Sequence, residues 1–356
     1  MHRRNFPGVY FESQYACLMD ILQVAKRAGV STATVSRVIN GLPGVREKTS
    51  ARVRKAIVEM NYVPNTNARS LRVGRTRLFG LIVSDINNPF FPELIDAFES
   101  LAAAQGIEVI FTHTNYDPKR FNNCIRRMIE RNVDAIAVMT SEVEEAALRQ
   151  AAVAGVPLVL MNQRELAGKY PNILVEYSAG FGEALVHLLS LGHSNIGFIA
   201  GPQTLNSARG RKDAFRAALK SHGLNVRAEW IAIGSMRVEG GRAAMEKLLS
   251  CQPRPTAVLT SNDLMAVGAL QAANAAHIRV PRDLSIIGFD DLPIASMVHP
   301  PLSTIRLPRN EVAARAFVCL QQTLQGREIE VLEPVQPHLV IRSSTAPPAD
   351  RKRRRS

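Results

Sequence analysis

Between residues 78 and 289 short apolar runs alternate with amphipathic stretches, and no other feature constrains the fold as tightly. The strand candidates are 78–84, 107–112, 134–139, 157–161, 172–176, 195–200, 230–234, 256–260 and 284–289, reading for instance LFGLIVS, DAIAVM and LSIIGF. Helices of suitable length begin near Pro92, Pro118, Val143, Ser178, Ser207, Glu239, Asn262 and Pro308. Strands apolar on both faces and separated by helices predict parallel sheets covered on both sides. Nine such strands fit one large sheet or two smaller ones, and the break in rhythm around residues 162–194 favours two. A chain of 356 residues, 46% hydrophobic, has material for more than one core, because single domains stop growing at roughly 250 to 300 residues.

Ahead of this body, residues 20–40 (DILQVAKRAGVSTATVSRVIN) carry a different period. Ile21, Val24, Ala25 and Ala28 form the buried stripe of a helix that Asp20 caps, with Gln23 in a near match to the capping box. Gly29 ends that helix, since glycine takes the left-handed conformation without steric cost, and Ser31 starts the next as its N-cap. At about 100° per residue, Val35, Val38 and Ile39 share one arc while Ala33, Ser36, Arg37 and Asn40 share the opposite one. The pair reads as a helix-turn-helix whose second helix brings Thr32 and Ala33 to a groove floor and Arg37 to a base edge. A third helix has Val53, Ala56, Ile57 and Met60 inward and Lys48, Arg52, Arg54 and Lys55 outward. An ordinary helix pair inside a globular core has the same pattern, so charge has to separate the two readings.

The formal net charge is +13, and it is concentrated at the ends. Through Arg77 there are 14 Lys/Arg against 4 Asp/Glu; residues 78–349 hold 25 against 26, and the last seven hold 5 against 1. A basic first fifth on a neutral body is the footprint of a nucleic-acid-binding head. The four cysteines, Cys17, Cys124, Cys251 and Cys319, lie far apart, which fits a reducing compartment and neither a disulfide framework nor a metal site. No apolar run approaches the roughly 20 residues of a membrane helix. Residues 1–18 lack the apolar centre of a signal peptide and are expected to be disordered, with translation starting at Met19.

AKRAGVSTATVSRVIN, followed by NYVPN, ARSLR and GLIVSDINNPFF, resembles the lactose/galactose repressor family of bacterial transcription regulators. Further matches are LGHSNIGFIAGP (191–202), SARGRKDAF (207–215), RPTAVLTSND (254–263) and LSIIGFDD (284–291), so the resemblance runs from about residue 20 to 344. It implies an α/β protein with a small all-α helix-turn-helix head and a two-lobed, periplasmic-binding-protein-like core of parallel sheets. The boundaries expected are a disordered extension at 1–18, the head at 19–64, a hinge helix and linker at 65–77, the core at 78–344 and a disordered basic tail at 345–356. Within the core, lobe 1 would hold about 78–175 and 306–335, and lobe 2 about 176–305 and 336–344.

The resemblance also carries roles. Ser31, Thr32, Ala33, Ser36, Arg37 and Asn40 would face DNA, with Thr32, Ala33 and Arg37 at the base-reading positions. In the hinge, Asn65, Ala68, Arg69, Leu71 and Arg72 would join them. Leu71 matches a leucine that enters the minor groove, where an apolar wedge bends the duplex; from the residues alone, packing against the body is the preferred reading. Arg69 and Arg72 would add salt-dependent phosphate contacts. In the core, Phe90, Phe91, Asn162, Arg211, Met236, Asn262 and Asp290 match effector-binding positions. Aromatic faces with a few planar hydrogen-bonding groups suit a polyhydroxylated, sugar-like ligand. Arg211 would hold a hydroxyl pair or carboxylate through its fork, and Asp290 would accept from two hydroxyls. The departures are Arg46 where serine usually caps the third helix, Glu176-Tyr177 for Asp-Asn, Met236 for an aromatic platform, and Gln163 in a polar pattern.

The expected function is a repressor that binds a near-palindromic operator in double-stranded DNA as a homodimer, under control of a small effector in the lobe cleft. A solute-binding protein of a sugar transport system is the alternative that the core alone would suit. An enzyme is disfavoured: no GxGxxG, phosphate loop or nucleophile elbow occurs, so neither cofactor nor metal is expected. The protein is expected in the cytoplasm, at the nucleoid and off the membrane.

Overall fold

The computed structural model describes residues 21–62, 75–166, 168–327 and 333–349. The extension at 1–18, the Asp20 cap, the hinge residues Asn65, Ala68, Arg69, Leu71 and Arg72, and the tail from residue 350 lie outside them. The chain divides into two units, one through Thr76 and one from Arg77.

The first unit is a three-helix head: α1 (Ile21–Ala28), α2 (Thr32–Ile39) and α3 (Glu47–Glu59). Val24, Ala25, Ala28, Val35, Val53 and Ala56 form its core, ringed by partly buried residues that include Ile21, Val38, Ile39 and Met60. Gly29 closes α1 at φ +62°, with Val30 N donating to Ala25 O at 3.0 Å. Ser31 caps α2 by accepting from Thr34 N at 3.2 Å, whereas Arg46 gives α3 no side-chain cap. Arg27 ties α1 to the end of α3 through Glu59 Oε2 at 2.8 Å, a surface pair of small energetic weight.

The second unit has two lobes. In lobe 1, β1 (Leu78–Val83), β2 (Glu108–His113), β3 (Ala135–Met139), β4 (Leu158–Met161) and β5 (Asn172–Ile173) form a parallel sheet of order β2-β1-β3-β4-β5. Lobe 2 is built from β6 (Ile196–Ala200), β7 (Ile231–Ile233), β8 (Ala257–Thr260), β9 (Ser285–Asp290), β10 (Ser303–Arg306) and the antiparallel β11 (His338–Val340). Its order, β11-β10-β9-β8-β6-β7, repeats the winding of lobe 1 with one added strand. In doubly wound sheets of this order ligands bind beyond the carboxyl ends of the strands, where the winding reverses.

Helices cover both sheets: in lobe 1 α4 (Phe90–Ala103), α5 (Pro118–Glu130) and α6 (Glu145–Val153); in lobe 2 α7 (Tyr177–Ser190), α8 (Asn206–Ser221), α9 (Val238–Ser250), α10 (Asp263–Ala275) and the short α11 (Pro293–Met297). The chain returns to lobe 1 with α12 (Arg309–Leu324), whose Phe317 ring meets Phe79 at 5.9 Å and Phe98 at 5.8 Å. Where the chain crosses between lobes, Val335 N donates to Leu174 O at 2.8 Å and Glu176 N to Val335 O at 2.9 Å.

The two-sheet expectation holds, with three differences. β5 is two residues long, because the chain leaves lobe 1 there. β2 is an edge strand with Glu108 and Phe111 exposed, not apolar on both faces. The segment expected to be a disordered tail from residue 345 is instead packed through 349. His193 Nε2 bonds Ala346 O at 2.9 Å, Ala346 N donates to Ser285 Oγ at 3.1 Å, and Thr345 Oγ1 bonds His187 Nε2 at 3.0 Å. Backbone groups and a buried histidine hold it, which the Pro-Pro pair and the basic run that follows concealed.

Candidate functional site

The carboxyl ends of β1 and β3 in lobe 1 face those of β6 and β9 in lobe 2 across a cleft. It encloses a small cavity of about 50 Å³ that opens to solvent. Ser84, Asn88, Phe90, Phe91, Tyr116, Met139, Thr140, Ser141, Met161, Asn162 and Gln163 line it from lobe 1, and Tyr177, Ser207, Arg211, Met236 and Asp290 from lobe 2.

α4 starts at the cavity, so Phe90 and Phe91 sit in its first turn, with centroids 5.1 Å apart and planes at 87°. Asn88 holds that turn by accepting from Phe90 N at 3.1 Å. On the far wall, Arg211 on α8 donates through Nη2 to Asp290 Oδ1 at 3.1 Å and through Nη1 to Ser261 O. Its guanidinium lies over the Phe289 ring at 4.0 Å from the centroid. The buried Nε has no acceptor, a donor left open in an otherwise engaged fork. Burial pushes the Asp290 carboxyl up to about 6, against the charges of Arg211 and Arg309. Burial likewise raises the Tyr177 phenol, whose oxygen accepts from Asn162 Nδ2 at 3.1 Å.

Four lining residues other than glycine have left-handed backbone: Asn162 at φ +52°, Tyr116 at +59°, Met236 at +62° and Asp290 at +108°. Such conformations cost about 1 to 2 kcal/mol each and persist where surrounding structure enforces them, as at ligand sites. The lobes also bond each other beside the cavity. Asn206 Nδ2 donates to Gln163 Oε1 at 2.8 Å, Ser141 and Ser207 share a hydrogen bond at 2.8 Å, and Arg237 pairs with the buried Asp85 at 2.8 Å. Arg309 on α12 reaches Asp290 O at 2.5 Å.

Six of the seven expected effector residues line this cavity; Asn262 does not. It is fully buried, its Oδ1 caps α10 by accepting from Met265 N at 2.9 Å, and its Nδ2 donates to Met236 O at 2.9 Å. Asn262 therefore fixes the Met236 backbone and does not touch the cavity, which corrects the expectation. Asn88, Tyr116, Tyr177 and Ser207 were missed. In the sequence Gln163 and Tyr177 stand out only as departures from the family's pattern.

In the head, Ser31, Ala33 and Arg37 are exposed, and Thr32, Ser36 and Asn40 are half-buried. Asn40 turns its amide onto its own helix, donating to Ser36 O at 2.6 Å and Ser36 Oγ at 3.3 Å. The residues that stand clear of the surface are thus those at the start of α2 and Arg37.

A helix-turn-helix head followed by a two-lobed body with a cleft between the lobes defines a transcription regulator with a DNA-binding part and an effector-binding part. Residues 20–65 match the model of bacterial regulatory proteins of the lacI family, and residues 185–345 that of the periplasmic binding protein-like domain. The chain belongs to the lacI family. It is 37% identical over 328 residues to the HTH-type transcriptional repressor PurR of Pasteurella multocida (strain Pm70), covering 91% of this chain and 98% of that one. It is 36% identical over 314 residues to the ribose operon repressor of Escherichia coli (strain K12), covering 86% and 95%. Among solved structures, the lac repressor dimer bound to operator and the anti-inducer ONPF superposes with a TM-score of 0.84 at 27% identity, covering 92% of this chain and 99% of that one. No described helix is long and apolar enough to cross a membrane, and no cluster of metal-ligating side chains occurs among the described residues.

Proposed function

We propose that this protein is a repressor that binds a near-palindromic operator as a homodimer and responds to a small sugar of the pentose class in the lobe cleft. It works as a regulator and not as an enzyme, at the nucleoid in the cytoplasm. Thr32, Ala33 and Arg37 read bases, Ser31 and Ser36 support them, and the hinge residues Asn65, Ala68, Arg69, Leu71 and Arg72 make the second set of DNA contacts.

The observation that carries the effector reading is the buried Arg211–Asp290 pair facing Phe90 and Phe91. A fork with an unengaged donor beside a carboxylate matches vicinal hydroxyls, each of which both donates and accepts. The aromatic pair offers an apolar face to the carbon side of a sugar ring. A purine base is the second reading, favoured by the identity with PurR. A flat base asks for two parallel walls, and Phe90 and Phe91 stand edge to face.

Ligands that bind the folded form raise its apparent stability. In a thermal-shift screen, D-ribose should raise the melting temperature and change operator affinity in a fluorescence anisotropy titration, while adenine should do neither. Stabilisation by adenine alone would overturn the sugar reading.

A further inference from the structure

The loop after β2 holds two consecutive residues other than glycine in the left-handed region, Asn115 at φ +52° and Tyr116 at φ +59°. Asparagine tolerates this; for tyrosine it is an outlier that neighbouring structure must enforce. Backbone bonds do so on both sides, from Asn115 N to Ser84 O at 2.7 Å and from Asp117 N to Thr114 O at 3.1 Å. Asp117 then caps α5 by accepting from Lys119 N at 2.9 Å.

The strained turn sends the Tyr116 ring out of its own lobe. It forms part of the cavity wall and packs against the apolar cluster of lobe 2 that contains Leu205, Ala208 and Met236. Both Tyr116 and Asn88, the residue that holds Phe90 in place, line the cavity, and burial raises the Tyr116 phenol. Tyr116 thus fastens the aromatic side of the cavity to the opposite lobe, and its ring limits how far anything enclosed can extend.

We propose that Tyr116 is a specificity-determining residue that restricts the effector to a single sugar ring by closing the cavity against lobe 2. The proposal rests on the sugar reading above. A one-ring sugar sits between Phe90, Phe91 and the Arg211–Asp290 pair without displacing the tyrosine; a second ring meets it.

The test is titration calorimetry of the full chain with D-ribose and with cellobiose, on the wild type, Tyr116→Ala and Tyr116→Phe. The wild type should bind ribose and reject cellobiose. Tyr116→Ala should lose about tenfold or more in ribose affinity, the scale on which truncating a buried aromatic contact acts, and should gain cellobiose binding. Tyr116→Phe should keep the wild-type preference, because the wall is the ring and not the hydroxyl. Should Tyr116→Ala not fold, Tyr116→Leu supplies the same reading. A folded variant that still rejects cellobiose and binds ribose unchanged overturns the proposal, as does a wild type that binds both sugars equally. A wild type that binds neither overturns the sugar reading itself, before any variant is compared.

Discussion

Replacing Arg211 by methionine isolates the electrostatics of the cleft wall. Arg211 and Asp290 are both buried, 3.1 Å apart. Burial holds the Asp290 carboxyl at about 6, and Arg211 is the larger of the charges pulling it down. Without that guanidinium the carboxyl rises further and takes up a proton at neutral pH, since the alternative is an unpaired buried anion. The sign follows from linkage. A carboxyl raised in the folded state holds its proton more tightly there than in the unfolded chain, so stability falls as pH rises until the folded pKa is passed. The wild type stops losing stability from this group above about pH 6, while the variant goes on losing it as pH rises further.

The deficit from this source is therefore near zero at about pH 5 and grows as pH rises above about 6, by at most roughly 1 kcal/mol per pH unit. It stays below the roughly 3 to 5 kcal/mol cost of breaking a fully buried pair, because protonation relieves it. A pH-independent part of about 1 to 3 kcal/mol adds to it, from the lost hydrogen bond to Ser261 O and the lost contact with the Phe289 ring. Urea unfolding at several pH values, followed by fluorescence of the single tryptophan, Trp230, buried in lobe 2, reads the difference directly. A deficit that stays constant across this range would mean that Arg211 does not set the ionisation of Asp290, and the account of the pair would fail.

Arg37→Ala should cost about 1 to 3 kcal/mol of operator affinity and relax preference at one base pair, measured by anisotropy on an operator series; equal loss on every sequence would refute base reading. Gly268→Ala should lower stability by about 1 to 3 kcal/mol in urea unfolding, because a Cβ there would fall on the carbonyl oxygen of Val238 where α9 and α10 press together. An unchanged midpoint would mean that the helices separate freely.

The layout of the fold was legible because it depends on local periodicity. Every strand expected between 78 and 289 exists, and helix starts fall within a few residues of their expected positions. β10 escaped because Ser-Thr-Ile-Arg does not read as a buried strand. It is one because Thr304 Oγ1 donates to the buried Asp263 at 2.6 Å and Ser303 N donates to Ser344 Oγ at 2.8 Å. The cleft was legible through resemblance alone: Arg211 and Asp290 are 79 residues apart, and no local pattern joins them. Asn262 went wrong although its sequence position already marked a helix start, where an asparagine most often caps. Tyr116 was invisible, since its place depends on a left-handed turn and on a lobe contributed by later sequence.

The polar ties between the lobes set a threshold. Gln163 to Asn206 and Ser141 to Ser207 are neutral bonds that water can replace, each worth about 0.5 to 1.5 kcal/mol net, and Arg237 of the Asp85 pair is 46% exposed. Together they hold the cleft shut by only a few kcal/mol. A ligand needs about 5.5 kcal/mol of preference for one arrangement to carry the population from 1:99 to 99:1. Weak ties leave little for a bound molecule to overcome. Residues such as Asn206 and Arg237, which do not line the cavity, thereby bias the balance between the shut and open arrangements.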